Sequence, residues 1–242
     1  MSQISSSRSR PRLTSYRVHS QFPPRIPKRQ ILCTTQLLLV HQDWSKALDK
    51  GGQVDVVFID FAKAFDLVNH SVLLNKLYKY GIRGSLLDWC RDYLTNRRQR
   101  VVVKGEVSDW LTVTSCVLQG SLLGPLFFII YINDLPAVII GDSSFALYAD
   151  DSKLYRVVNS PEDITPFQGD LDRISDWCKE NKMKVKVKKC KIMRITRKKS
   201  PLVRDYPING QSLESVFTYK DLGLLTSSTE HIMEFSYRFY NC

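Results

Sequence analysis

Val54-Asp55-Val56-Val57-Phe58-Ile59-Asp60-Phe61 is an apolar, β-branched and aromatic run interrupted by two carboxylates. Its composition reads as a buried strand, and burying Asp60 at the end of it costs several kcal/mol unless something compensates the charge. A second apolar strand, Phe145 to Ala149, runs into Asp150-Asp151-Ser152 and is followed by a third, Lys153 to Val158. Two adjacent carboxylates repel each other. A turn accommodates one of them cheaply, because Asp favours turns, and the pair less well. If the first strand and this hairpin are neighbours in one sheet, three carboxylates converge. Such a group suits divalent cations, since Mg²⁺ prefers hard oxygen ligands, and two ions can clamp the attacking and leaving oxygens of an in-line phosphoryl displacement. The local patterns are equally compatible with Asp60 as a cap and Asp150-Asp151 as an exposed turn.

Working outward, Leu37, Leu38, Val40, His41, Trp44, Ala47 and Leu48 recur at helical spacing and end at Gly51-Gly52. Val72, Leu73, Leu77 and Tyr80 predict a second helix closed by Gly81, and Leu86 to Leu94 a third. Arg100–Val103 and Leu111–Val113 flank Lys104-Gly105-Glu106 as a hairpin, and Gly120 to Leu135 reads as an apolar helix opened by a glycine turn. Asp163 to Asn181 has helical spacing, Lys184 to Thr196 looks like a strand with alternate lysines, and Val216 to Leu225 reads as a hairpin. The order of elements predicts a mixed α+β domain.

The chain has 242 residues, 43% of them hydrophobic, which suffices for a core and excludes a disordered tail, a collagen-like fibre or a disulfide-stapled mini-protein. Thirty-five Lys and Arg against 24 Asp and Glu give a net charge of +11, pointing to a polyanionic partner. The excess is uneven. Residues 1–30 carry seven basic residues and no acid, residues 179–199 carry eleven against one Glu, and residues 101–150 are net acidic. Residues 1–31, rich in Ser, Arg and Pro, are expected to form a basic disordered arm. Six cysteines form no C-x-x-C pair and no finger-like spacing with histidine, which argues against zinc, and no secretory signal precedes them, which favours reduced thiols in an intracellular compartment. The apolar run Leu122–Ile132 contains Gly124 and Pro125 and is too short to span a bilayer, so no membrane partner is expected.

Phe58-Ile59-Asp60-Phe61-Ala62-Lys63-Ala64-Phe65-Asp66, Gln119-Gly120-Ser121 and Tyr148-Ala149-Asp150-Asp151 strongly resemble reverse transcriptases. Tyr131-Ile132-Asn133-Asp134-Leu135-Pro136, Tyr219-Lys220-Asp221-Leu222-Gly223 and Cys33-Thr34-Thr35-Gln36-Leu37-Leu38 resemble non-LTR (LINE-type) retrotransposon polymerases in particular. The resemblance covers residues 32–226 and leaves residues 227–242 as an unplaced tail. It implies the palm of a right-hand polymerase, a ferredoxin-like antiparallel sheet with helices on one face, with partial fingers and little or no thumb. The implied activity is RNA-directed DNA polymerisation, in which a primer 3′-OH takes a nucleotide from a dNTP on an RNA template.

Residue by residue, Asp60, Asp150 and Asp151 would be the catalytic and metal-binding carboxylates for two Mg²⁺ ions, with Mn²⁺ able to substitute. Phe65 matches the aromatic that crowds a ribose 2′-OH, Gln119 and Gly120 the loop supporting the nucleotide, and Lys189 a lysine near its phosphates. Tyr219, Lys220, Leu222 and Gly223 match the hairpin that grips the primer end. Lys182, Lys184, Lys186 and Lys188, alternating with Met183, Val185 and Val187, would face a phosphate backbone without reading sequence. Nuclear residence would suit an element that primes on chromosomal DNA. Nothing in the sequence sets an oligomeric state.

The sequence departs from the family where Cys116 and Leu118 replace a Gly and a Pro before Gln119-Gly120, and where Val185-Lys186-Val187 replaces Leu-Asn-Pro. Cysteine in place of glycine is expected to strain a loop that needs positive φ. These departures, with no room for a thumb after Leu225, predict a truncated copy, and an inactive nucleic-acid-binding remnant is the alternative function. A two-metal phosphohydrolase explains the aspartates and leaves Gln119-Gly120 and the Tyr219–Gly223 hairpin without a role.

Overall fold

A computed structural model describes residues 33–118 and 120–228. The arm and tail expected at residues 1–31 and 227–242, Ser227 and Ser228 apart, lie outside the described residues, as does Gln119. At the centre is β1 (Gln53–Ile59), every residue of which is buried. It pairs antiparallel with β3 (Asp151–Val157) on one side and β4 (Lys191–Thr196) on the other. β2 (Ser144–Tyr148) pairs antiparallel with β3, and the two-residue β5 (Glu214–Ser215) runs parallel to β4. The order is β5-β4-β1-β3-β2.

The sheet's pleat sorts β1 into two sets. Val57 and Ile59, with Leu154 and Ile192, join one apolar cluster with α2 (His70–Lys79), α3 (Ser85–Leu94), α4 (Leu123–Ile132) and α5 (Ile164–Glu180). Val54, Val56 and Phe58, with Tyr155, Met193 and Ile195, pack against α1 (Cys33–Asp49) through Val40, Trp44, Ala47 and Leu48. A strand covered on both faces reads as a continuous apolar run, which is why β1 shows no alternation. The helices are therefore not confined to one face: α1 takes the other, because Val54, Val56 and Phe58 would otherwise expose an apolar stripe.

Three local devices place the helices. Asn69 caps α2, its side-chain oxygen accepting from Val72 N at 3.2 Å. Leu73 and Leu77, one turn apart, are fully buried, each worth roughly 1.5–3 kcal/mol. Beyond α4, Asp134 accepts from Lys76 Nζ at 2.6 Å and from Trp177 Nε1 at 3.1 Å, so one carboxylate links α2, the end of α4 and α5. The Lys76 ammonium also donates to Tyr131 O at 2.6 Å and lies 4.7 Å from the Trp177 ring centroid. Desolvation lowers the Lys76 pKa, and the Asp134 hydrogen bond opposes that shift. The Tyr131–Pro136 motif is thereby a packing lock.

Several expected elements shift. The apolar helix begins at Leu123 rather than Gly120, and its continuation is a short 3-10 turn, Leu135–Val138. The expected strand from Lys184 is a strand only from Lys191. Residues 184–186 make a single bridge, Phe61 to Val185, and Val187–Lys189 is a 3-10 turn. The alternation is nonetheless real: Lys182, Lys184, Lys186 and Lys188 are exposed, while Met183 is buried and Val185 and Val187 half-buried. A segment packed on one side shows period two whether or not it is hydrogen-bonded as a strand.

Candidate active site

Asp60 is the first residue past β1, and its half-exposed position is clamped from behind. Its N–H donates to Cys190 Sγ at 3.3 Å, its carbonyl accepts from Lys186 N at 2.8 Å, and Ala62 N donates to Lys184 O at 2.7 Å. The lysine-bearing segment therefore runs directly alongside the exit of β1. The hairpin joining β2 to β3 turns at Ala149-Asp150, with Tyr148 opposite Asp151, so Asp151 opens β3 rather than sitting in the turn. Ala149 takes φ +51°, a left-handed conformation that costs a non-glycine residue energy and that marks the turn as strained.

Register brings the carboxylates together. Ile59 pairs with Ser152 and Phe58 with Lys153, so Asp60 and Asp151 continue the same face at the same end of adjacent strands. Burial raises the Asp151 pKa, and the charges of Asp150, Asp221 and Asp60 raise it further while Lys153 opposes them. Four carboxylates thus share one electrostatic neighbourhood. Asp221 was not among the expected site residues.

Phe65 is half-buried and stacks on Phe128 of α4, with centroids 4.5 Å apart, while its carbonyl accepts from Val117 N at 3.1 Å. Gly120 is exposed at φ +80°. Nearby, Gly124 is required by close approach, since a Cβ there would lie 2.3 Å from Leu118 O. Cys116 takes φ +89°, so the strain expected of cysteine at a glycine position is present. His70 Nε2 and Arg97 both reach its carbonyl, at 2.9 and 3.1 Å. Lys189 is exposed in the turn before Cys190.

The second hairpin, β6 (Thr218–Asp221) and β7 (Leu224–Ser227), turns at Leu222 and Gly223 with φ +47° and +87°, the sign pattern of a tight two-residue turn. Tyr219 stacks on Phe58 at 3.8 Å and 15°, placing this hairpin on the carboxylate-bearing face. Lys220 is exposed. Burial pushes the Tyr219 hydroxyl up to about 12, reinforced by the charges of Asp151, Asp221 and Asp60. Beneath it, Lys153 Nζ and Asp221 Oδ2 form an ion pair with both side chains buried. The available signal for this pair was Lys153 itself, which alternates onto the same strand face as Tyr155, since a charge buried there demands a partner.

The family model for reverse transcriptase (RNA-dependent DNA polymerase) matches residues 7–224. The chain belongs to the reverse transcriptase family. As a reverse transcriptase it is 33% identical over 193 residues to a probable RNA-directed DNA polymerase from transposon BS of Drosophila melanogaster, covering 74% of this chain and 20% of that protein. It is 29% identical over 190 residues to the RNA-directed DNA polymerase from mobile element jockey of Drosophila funebris, with the same coverages. The chain spans about a fifth of the length of these relatives. Among solved structures, apo telomerase from Candida tropicalis, truncated from its C-terminal domain, matches with TM-score 0.55 at 11% identity, over 81% of this chain and 38% of that one. Telomerase from Candida albicans, in complex with a fragment of telomeric RNA, matches with TM-score 0.53 at 13% identity, over 78% and 32%. These likenesses show the fold: a partial polymerase palm.

Reverse transcriptases generally use a divalent metal. The donor chemistry here fits one, because Asp60, Asp150 and Asp151 offer hard oxygens whose mutual repulsion a cation would relieve. Among the described residues, no group of three or more His, Cys, Asp or Glu side chains closes to metal-holding distance. No described helix is long and apolar enough to cross a membrane.

Proposed function

We propose that residues 32–226 form the palm-centred part of an RNA-directed DNA polymerase, transferring a nucleotide from dNTP to a primer 3′-OH on an RNA template. The observation that carries this reading is the register that sets Asp60 and Asp151 on one face at one end of adjacent strands, in a member of the reverse transcriptase family. Asp60, Asp150 and Asp151 would hold two Mg²⁺ ions, or Mn²⁺ in their place, and that group would supply charge neutralisation at the attacking and leaving oxygens. Phe65, held against Phe128, limits room beside the ribose. Gly120 lets the backbone approach the nucleotide, Gln119 supports it, and Lys189 reaches toward its phosphates. Tyr219, Lys220, Leu222 and Gly223 receive the primer end, and the exposed lysines from Lys182 to Lys188 follow a phosphate backbone. Rate would come from positioning and preorganised charge. A chromosomal primer would require residence in the nucleus.

A second reading, a nucleic-acid-binding remnant without catalysis, is favoured by one observation, Cys116 held at φ +89° close in sequence to Gly120. Primer extension on an RNA template with Mg²⁺ or Mn²⁺ separates the two. Incorporation by wild type and none by Asp150→Asn is the expected result, with folding and nucleic-acid binding of the variant nearly unchanged. A variant that still extends primers would sink the carboxylate assignment. A well-folded wild type that binds but never extends would establish the remnant.

A further inference from the structure

We propose that the buried ion pair between Lys153 and Asp221 is the tether that seats the β6–β7 hairpin over the carboxylate end of the sheet, making both residues positioning residues for the primer terminus. The tether stands on geometry alone; its service to a primer rests on the polymerase reading above. The hairpin is a separate two-stranded sheet, with no ladder to the five-stranded one. Chain connection holds it near β4, where Val216 N donates to Ile192 O at 2.9 Å. β6 meets β1 and β3 through two side chains, two residues apart. Tyr219 lands on Phe58, and Asp221 lands on Lys153. Phe58 and Lys153 are direct cross-strand partners, so the two contacts fix both the position of β6 and its direction across the sheet. The hairpin's other face is open, with Leu225 60% exposed and its cross-strand partner Lys220 exposed as well.

Among the described residues this is the one ion pair whose two side chains are both buried, at 1% and 4% exposure. Burying two charges is costly, and well-packed apolar replacements of such pairs are often as stable or more so. What an ion pair adds is direction: a buried carboxylate tolerates no displacement that leaves it without its ammonium. Stacking of Tyr219 on Phe58 permits sliding and rotation, and the ion pair removes that freedom. The hairpin is thereby locked to the strand that begins with Asp151, two residues from Lys153.

Backbone-amide hydrogen exchange on the full chain tests the tether without catalysis. Lys153→Met leaves Asp221 buried and unpaired, and is expected to lower protection of the amides at 218–227 on the order of 100-fold while β1 and β3 keep theirs. Asp221→Asn, which keeps an oxygen for the ammonium, is the milder variant and should show the same localised loss at smaller amplitude. Lys153→Met combined with Asp221→Leu removes both charges and should restore most of the protection. Fluorescence anisotropy supplies the second readout. Lys153→Met should weaken binding of a DNA primer annealed to a longer RNA template about 10-fold, with affinity for unpaired RNA of the same length unchanged. Unaltered hairpin protection in the single variants, or parallel loss across β1 and β3, overturns the tether. Localised loss with unchanged duplex affinity overturns the positioning role. Failure of primer extension in wild type touches neither exchange result, so the two readings fail separately.

Discussion

Cys116 is the residue at which local conformation and side chain disagree most. At φ +89° a β-carbon crowds the backbone, and here it stands in a loop whose carbonyl is pinned by His70 and Arg97. Glycine removes that strain at the expense of a more flexible unfolded chain. Cys116→Gly is therefore expected to raise unfolding free energy by about 1 kcal/mol in urea denaturation. The same substitution restores the residue type that reverse transcriptases place before Gln119-Gly120, so any primer extension should rise with it. Ala149 at φ +51° is the parallel case at the Asp150 turn. There the strain aims a carboxylate pair, and strained backbone of this kind clusters at functional sites.

At the scale of elements, the joint between α2 and the Cys116 loop carries a titratable contact. His70 is buried at the start of α2, with Nε2 bonded to Cys116 O and Nδ1 facing no partner among the described residues. Burial lowers its pKa below 6.5, and the Cys116 carbonyl only partly opposes that. A histidine with a depressed folded pKa contributes stability that is present above the unfolded value and lost as pH falls through the folded one. Wild type should therefore lose stability relative to His70→Gln as pH is lowered from 6.5 toward 5, read as the gap between their urea midpoints. A gap that does not change with pH would remove His70 from the account of this joint. The helix itself was legible in the sequence, because Val72, Leu73, Leu77 and Tyr80 recur at helical spacing ahead of Gly81. The joint was not, because Cys116 lies 46 residues from His70 and nothing local announces the contact.

Over the whole molecule, charge separates into a basic flank and an acidic end. The exposed lysines at 182, 184, 186 and 188 run beside Asp60, and the backbone of the same segment holds the exit of β1. Neutralising them should weaken nucleic-acid binding alike for all sequences, because phosphate contacts carry no base information. For every phosphate no longer neutralised, the slope of log affinity against log salt should become shallower by ~0.9 for a duplex and ~0.7 for a single strand. Filter binding or anisotropy across a salt series, on Lys182→Ala with Lys184→Ala and on the fourfold variant, checks this. An unchanged slope would place the polyanion elsewhere.

Legible along the chain were a buried β1, carboxylates where apolar runs end, most of the helices, a lysine alternation and the ordered motifs of reverse transcriptases. These were legible because periodicity and turn chemistry are local properties. Packing, and not local pattern, sets α1 on the face opposite α2 and α4, lets residues 184–190 clamp Asp60 without forming a strand, and joins Asp221 to Lys153 beneath the second hairpin. The physical reason is that alternation along a strand says which residues share a face and is silent on what lies over it. Contacts such as Lys153 with Asp221, 68 residues apart, arise only when separate elements are packed and every buried charge has to find its partner.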